Sequence, residues 1–179
     1  MMVTIIGESG SGKSEYAENL IMDLQRSNND SKKLYYIATM EPYGKEAKKR
    51  ISRHRKERSG KGFITVEYYN NTIDCCLEVK SNILLECMSN LAANIMFNNG
   101  INDKYLVYNK ICNIIGKFKE TASNLVVVTN DIFADGNIYD RSTMEYIELL
   151  GMVNRYLTDI SDKAEEVIYS CPFVIKGGT

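Results

Sequence analysis

The sequence predicts an α/β fold: a mainly parallel central sheet with helices on both faces. Three observations predict it. Short apolar runs alternate with amphipathic stretches almost throughout the 179 residues. The runs are continuous rather than alternating, as in strands covered on both sides. A glycine-rich loop follows the first run and opens the first helical stretch, which is the strand–loop–helix order of a parallel sheet.

Taken in order, Val3 to Ile6 is a buried strand ending at a glycine. From Lys13 the pattern turns helical, with Tyr16, Ala17, Leu20, Ile21 and Leu24 on one face. Ser27 to Ser31 is a polar turn, and Leu34 to Thr39 a second strand. Lys45 to Arg58 is rich in helix formers and charged on all sides, so an exposed helix is expected. Phe63 to Tyr69 and Ile83 to Glu86 are further strands. Met88 to Phe97 and Tyr105 to Thr121 are helical. Leu125 to Thr129 is the most β-prone stretch of the chain. Arg141 to Ile160 is a long helix or a broken pair. Glu166 to Ser170 is a last strand, with Phe173 to Lys176 a possible addition. No repeat or linker divides the chain, so one domain over residues 1–179 is expected.

A net charge of −1 removes the general attraction to nucleic acid that a basic protein has, so no nucleic-acid partner is expected. The charge is uneven: residues 45–61 are basic and residues 159–166 acidic. The five cysteines are odd in number and form no Cys-x-x-Cys pair, against a disulfide framework or a zinc site. Buried free thiols in a reducing cytosol are expected instead. No apolar run is long enough to span a bilayer, and none reads as a signal peptide. A cytoplasmic location follows as the expectation.

Residues 7–14 carry the chemistry: Gly7, Glu8, Ser9, Gly10, Ser11, Gly12, Lys13 and Ser14 spell the phosphate-binding loop. Its glycines let successive N–H groups turn toward anionic oxygens, and the helix that follows adds its positive end. Lys13 can reach the β- and γ-phosphates of ATP or GTP, and the Ser14 hydroxyl can ligate Mg²⁺. A second anchor for the cation is expected at a strand end. Glu86 is the first choice and Asp131 the reserve. The architecture is then that of a P-loop NTPase, RecA-like in outline.

The single histidine, His54, shares a helical face with Arg50 and Arg58. On pattern alone it is an incidental member of a solvated basic helix. The chemical alternative is a nucleophile whose flanking arginines depress its pKa and steer a triphosphate toward it.

With these blocks in place, the chain resembles the bifunctional adenosylcobinamide kinase/adenosylcobinamide-phosphate guanylyltransferase family of cobalamin biosynthesis. The likeness runs from the first strand to about Lys176. It rests on the phosphate loop, Tyr36-Ile37-Ala38-Thr39 with Glu41-Pro42, and Arg50-Ile51-x-x-His54-Arg55-x-x-Arg58. Phe63-x-Thr65-x-Glu67, Leu84-Leu85-Glu86-Cys87 and Asn90 to Asn94 follow. Val127-Val128-Thr129-Asn130, Gly151-x-Val153-Asn154 and Ala164-Glu165-Glu166-Val167 complete it. The C-terminal third departs from the family pattern at Asp131, Phe133, Asp135, Tyr139 and Met152, and in the tail Ser170-Cys171-Pro172.

The resemblance implies two reactions: phosphorylation of adenosylcobinamide, then transfer of GMP from GTP to adenosylcobinamide phosphate with release of pyrophosphate. It implies that His54 is guanylylated, with Lys13 as the other catalytic residue. Ala38, Thr39, Met40, Arg55, Lys56, Glu57, Arg58, Glu67 and Glu86 should line the GTP site, with Ser14 and Glu86 on Mg²⁺. It also implies a homo-oligomer, expected as a trimer. Two other readings stand beside it. One is a P-loop kinase of another small alcohol. The other is a non-enzymatic GTP-binding switch, although the guanine-reading Asn-Lys-x-Asp of such switches is missing.

Overall fold

A computed structural model of the chain describes residues 1–27, 32–69, 77–98, 100–101, 103–132 and 139–178. Seven strands form one sheet in the order β3-β2-β4-β5-β1-β6-β7. The strands are β1 Met2–Ile6, β2 Leu34–Ala38, β3 Phe63–Glu67, β4 Ser81–Glu86, β5 Ala122–Val128, β6 Lys163–Ile168 and β7 Cys171–Lys176. All neighbouring pairs are parallel except β6–β7, which is an antiparallel hairpin. The helices are α1 Lys13–Ser27, α2 Gly44–Glu57, α3 Met88–Ala93, α4 Lys104–Thr121 and α5 Arg141–Ile160.

Period-two side-chain alternation sorts the strand residues onto two cores. Met2, Tyr35, Ile37, Ile83, Leu85, Leu125 and Val127 pack against α3, α4 and α5 through Leu91, Ile111, Ile115, Leu149 and Val153. Val3, Ile5, Leu34, Tyr36, Leu84, Val126 and Val128 pack against α1 through Ala17 and Ile21. The continuous apolar runs have this cause: both faces of the sheet are covered. Helix α2 is different in kind, since none of its residues is buried.

The stretch Arg141–Ile160 keeps its expected bounds and is the long helix rather than a broken pair, started by the Asp140 carboxylate, which accepts from the Ser142 and Thr143 amides. The Ser142 and Thr143 hydroxyls also donate to it, at 2.6 and 2.7 Å, and these bonds first, then the amides, hold the Asp140 carboxyl far below the usual carboxylate range. Other boundaries differ from expectation. The stretch Met88 to Phe97 is α-helical only to Ala93 and widens into a π turn over Asn94–Asn98. The last parallel strand starts at Lys163 and stops at Ile168, because Tyr169 and Ser170 have φ of 48° and 64° and form the turn into β7. The polar turn expected at 27–31 lies, beyond Ser27, outside the described residues, as do Cys75, Cys76, Phe133 and Asp135. Of the other thiols, Cys87 is buried, Cys112 half-buried and Cys171 exposed, so burial does not hold for all of them.

Candidate active site

The carboxyl ends of the parallel strands share one edge. Ala38 is level with both Glu67 and Glu86, and Glu86 is level with Val128, which pairs with Ile5. Ligands of open parallel sheets bind at this edge. It carries a cavity of about 680 Å³.

The phosphate loop forms its floor. Ser9, Gly10, Gly12, Lys13 and Ser14 line the cavity, while Gly7, Glu8 and Ser11 do not. Lys13 is buried, and its ammonium donates to the Glu8 carbonyl at 2.9 Å. Burial lowers its pKa, and the nearby Arg50 charge adds to that, while Cys87 and Glu86 oppose it. A phosphate anion here would relieve the penalty on both cations.

Glu86, at the end of β4, meets the floor from the side. Its Oε1 accepts from the Ser14 hydroxyl, and its Oε2 finds no partner among the described residues. Burial pushes its pKa up. A buried carboxylate with an orphaned oxygen beside a hydroxyl is the donor set that a divalent cation completes. Among the described residues no three His, Cys, Asp or Glu gather, so a cation would take its remaining ligands from phosphate oxygens and water. The reserve residue, Asp131, is not in the cavity wall; its amide caps the Gly7 carbonyl at 3.1 Å.

The opposite wall is α2. Arg50, Arg53, His54, Arg55, Glu57 and Arg58 face the cavity, the spacing that a 3.6-residue period requires, and Lys56 faces out. The His54 side chain is 20% exposed, and its Nδ1 lies 3.3 Å from Glu57 Oε2. Burial is the main reason its pKa is lowered; Arg53, Arg58 and Arg50 add to this, and Glu57 opposes it. The arginine effect was legible in the sequence, but burial, the larger cause, was not.

Arg58 is 6% exposed, and its guanidinium carbon sits 3.5 Å from the centre of the Tyr36 ring. Its Nε and Nη1 have no partner among the described residues. Two unpaired, buried guanidinium nitrogens in a cavity wall suit an incoming phosphate. Beyond it, Lys61 reaches the buried Glu18 of α1 at 2.6 Å. At the rim, Arg55 pairs with Glu67, which also accepts from Tyr69; Tyr69 is raised to about 12, by burial first and then by that bond.

Ala38 and Met40 line the cavity, but Thr39 between them does not. Its hydroxyl donates to the Cys87 carbonyl at 2.8 Å and accepts from the Cys87 amide at 2.7 Å, joining the ends of β2 and β4. Side-chain direction at a strand end alternates, which accounts for the gap. Sequence reasoning missed Glu18, Tyr36 and Lys61 as wall residues. Glu18 alone had a signal, as it sits one helical turn after Ser14. Asn90 and Asn130 complete the far side, where Asn130 donates to the Ser89 hydroxyl at 2.6 Å.

A family described as cobinamide kinase / cobinamide phosphate guanyltransferase matches residues 3–175. The bifunctional adenosylcobalamin biosynthesis protein of Escherichia coli (strain K12) is 26% identical over 190 residues, covering 98% of this chain and all of that one. Its counterpart in Salmonella typhimurium (strain LT2) is 26% identical over 189 residues, with the same shares covered.

Proposed function

The chain belongs to the cobinamide kinase / cobinamide phosphate guanyltransferase family of cobalamin biosynthesis, and from that premise we propose that one cavity serves both reactions, with His54 as the covalent carrier of GMP. The observation that carries the proposal is the shared wall: a largely buried imidazole opens into the same space as Lys13 and Ser14.

In the kinase step the hydroxyl oxygen of adenosylcobinamide bonds to the γ-phosphorus, the β–γ bridge breaks, and the hydroxyl proton passes through the transferred phosphate's oxygens to water. Loop amides, Lys13 and Arg58 would hold the phosphate oxygens as charge shifts onto the leaving diphosphate. In the transferase step the Glu57 carboxylate, 3.3 Å from Nδ1 of His54, favours the proton on that nitrogen, so Nε2 keeps its lone pair and attacks the α-phosphorus of GTP. The α–β bridge breaks and pyrophosphate departs. Glu57 then faces the positive imidazolium side of the phosphoramidate. An oxygen of adenosylcobinamide phosphate attacks the same phosphorus, the P–N bond breaks, and neutral His54 returns with adenosylcobinamide-GDP as product.

Ser14 and Glu86 would hold Mg²⁺, which when bound supplies charge neutralisation at the triphosphate. A lowered His54 pKa keeps the imidazole neutral and nucleophilic near pH 7. The nucleotide contacts assigned to Ala38, Met40, Arg55 and Glu67 are supported by their place in the wall, whereas Thr39 and Lys56 would act only indirectly.

The same reading takes the protein as cytoplasmic, where free thiols such as Cys171 stay reduced; no helix among the described residues is long and apolar enough to cross a membrane. A homo-oligomer, expected as a trimer, is supported by edge strand β7, which leaves Phe173, Val174 and Ile175 exposed. The functional test is incubation with adenosylcobinamide, GTP and Mg²⁺ and resolution of products by mass. Both the phosphate and the GDP adduct are expected. Phosphate alone would remove the transferase role, and neither product would remove the reading.

A further inference from the structure

We propose that Ser170 is a positioning residue for the phosphate loop: its main-chain N–H fixes the Ser11 carbonyl outward and so turns the Gly12 N–H into the cavity. The inference rests on the reading that this loop holds the nucleotide's phosphates.

The turn after β6 is a backbone outlier. Ile168 pairs with Cys171, so the β6–β7 connection is a two-residue loop, Tyr169-Ser170. Both residues have positive φ, 48° and 64°. Hairpin loops with two such residues ordinarily use Asn-Gly, because a side chain in left-handed backbone meets its own carbonyl. Neither residue here is glycine or asparagine. Strained backbone of this kind persists where surrounding structure holds it and is concentrated at functional sites.

Among the described residues, two contacts with the phosphate loop hold it. The Ser170 amide donates to the Ser11 carbonyl at 2.7 Å. Ser170 also fills the space that Gly12 leaves empty: a Cβ on Gly12 would come within 2.3 Å of Ser170 Oγ. The preceding strand does the same for Gly7, where a Cβ would lie 2.7 Å from the Val167 carbonyl. The end of β6 and its turn are thus the bed on which the loop lies.

Peptide planarity converts this contact into chemistry. Across a trans peptide the C=O of one residue and the N–H of the next point in opposite directions. The Ser11 carbonyl points at the hairpin, whose Ser170 is not in the cavity wall, and the Gly12 N–H therefore points the other way. Gly12 lines the cavity beside Lys13 and Ser14. A hydrogen bond on the outer side of the loop thereby aims a donor on the inner side, where a phosphate oxygen would sit.

The test is binding of a fluorescent GDP analogue with Mg²⁺ to the full chain. Two variants displace the contact by different routes. Ser170→Val places a β-branched side chain in left-handed backbone against Gly12. Insertion of one glycine between Tyr169 and Ser170 gives an unstrained three-residue loop that carries the amide off Ser11. Each should raise Kd at least about tenfold, the loss of a single well-aimed hydrogen bond to a charged group. KM for the nucleotide should rise alike in both half-reactions, with KM for the corrinoid unchanged; a merely structural defect would lower the active fraction instead. The conservative Ser170→Gly keeps the amide, relieves the turn and should retain wild-type Kd. The inference is overturned if the folded insertion variant binds within about twofold of wild type, or if Ser170→Gly weakens binding as much as Ser170→Val. Failure of the wild-type chain to bind would overturn the phosphate-loop reading as well, whereas normal binding by all variants overturns only this one.

Discussion

The two walls of the cavity are built on opposite terms. The phosphate loop lies between buried strands and is pinned from behind by Ser170, Asp131 and the end of β6. Helix α2, which carries His54, has no fully buried residue. It is held by charged contacts near its end: Arg58 on Tyr36, Lys61 on Glu18 and Arg55 on Glu67. The difference teaches a division of labour. Triphosphate binding needs several donors fixed before the ligand arrives, which a packed core provides. A nucleophile that accepts and then releases GMP, the role proposed for His54, needs only an approach to one phosphorus, and side-chain tethers would suffice for that.

The comparison can be broken first at the rigid wall. Lys13→Ala should lower both phosphorylation and guanylyl transfer by about 10³-fold, because the same phosphate contacts serve both. Loss of one reaction with the other intact would mean that the two steps do not share the loop. Arg58→Met tests the seam between the walls. It keeps much of the packing on Tyr36 and removes the unpaired guanidinium, so KM for the triphosphate should rise about tenfold or more. An unchanged KM would show that Arg58 serves only to anchor α2.

Legibility followed the same divide. The phosphate loop could be read at once because its function lies in eight consecutive residues. The Arg50, His54 and Arg58 face could be read because helical spacing is local. The partners of α2 could not. Tyr36 reads as an ordinary strand residue and Lys61 as one more cation of a basic stretch. Only the folding of β2 and α1 beneath α2 makes them supports. Thr39 shows the converse, since it sits in a matching block yet spends its hydroxyl on Cys87. The sheet itself was legible from continuous apolar runs, but β7 was only half visible. An edge strand exposed along most of its length leaves no burial pattern to find.

Two smaller effects sharpen the account of the histidine wall. Because burial and three arginines lower the His54 pKa, the imidazole stays neutral as pH falls below the ordinary histidine value. The acid limb of the guanylylation rate should therefore lie below pH 6.5. Glu57 is the one contributor that raises this pKa, so Glu57→Gln should move the limb to still lower pH; a shift upward would contradict the assignment. Lys61→Met leaves the Glu18 carboxylate buried without its partner, and should cost about 2 kcal/mol in urea denaturation. No loss of stability would mean that α2 is not tethered through this pair.

The most direct measurement is covalent trapping. The chain is incubated with α-labelled GTP and Mg²⁺, quenched in base, digested, and the label located by mass spectrometry. The account predicts a single acid-labile GMP adduct on the peptide containing His54, absent in His54→Ala and discharged by adenosylcobinamide phosphate. GMP transfer that proceeds at full rate in His54→Ala, or a label carried on another residue, would contradict it.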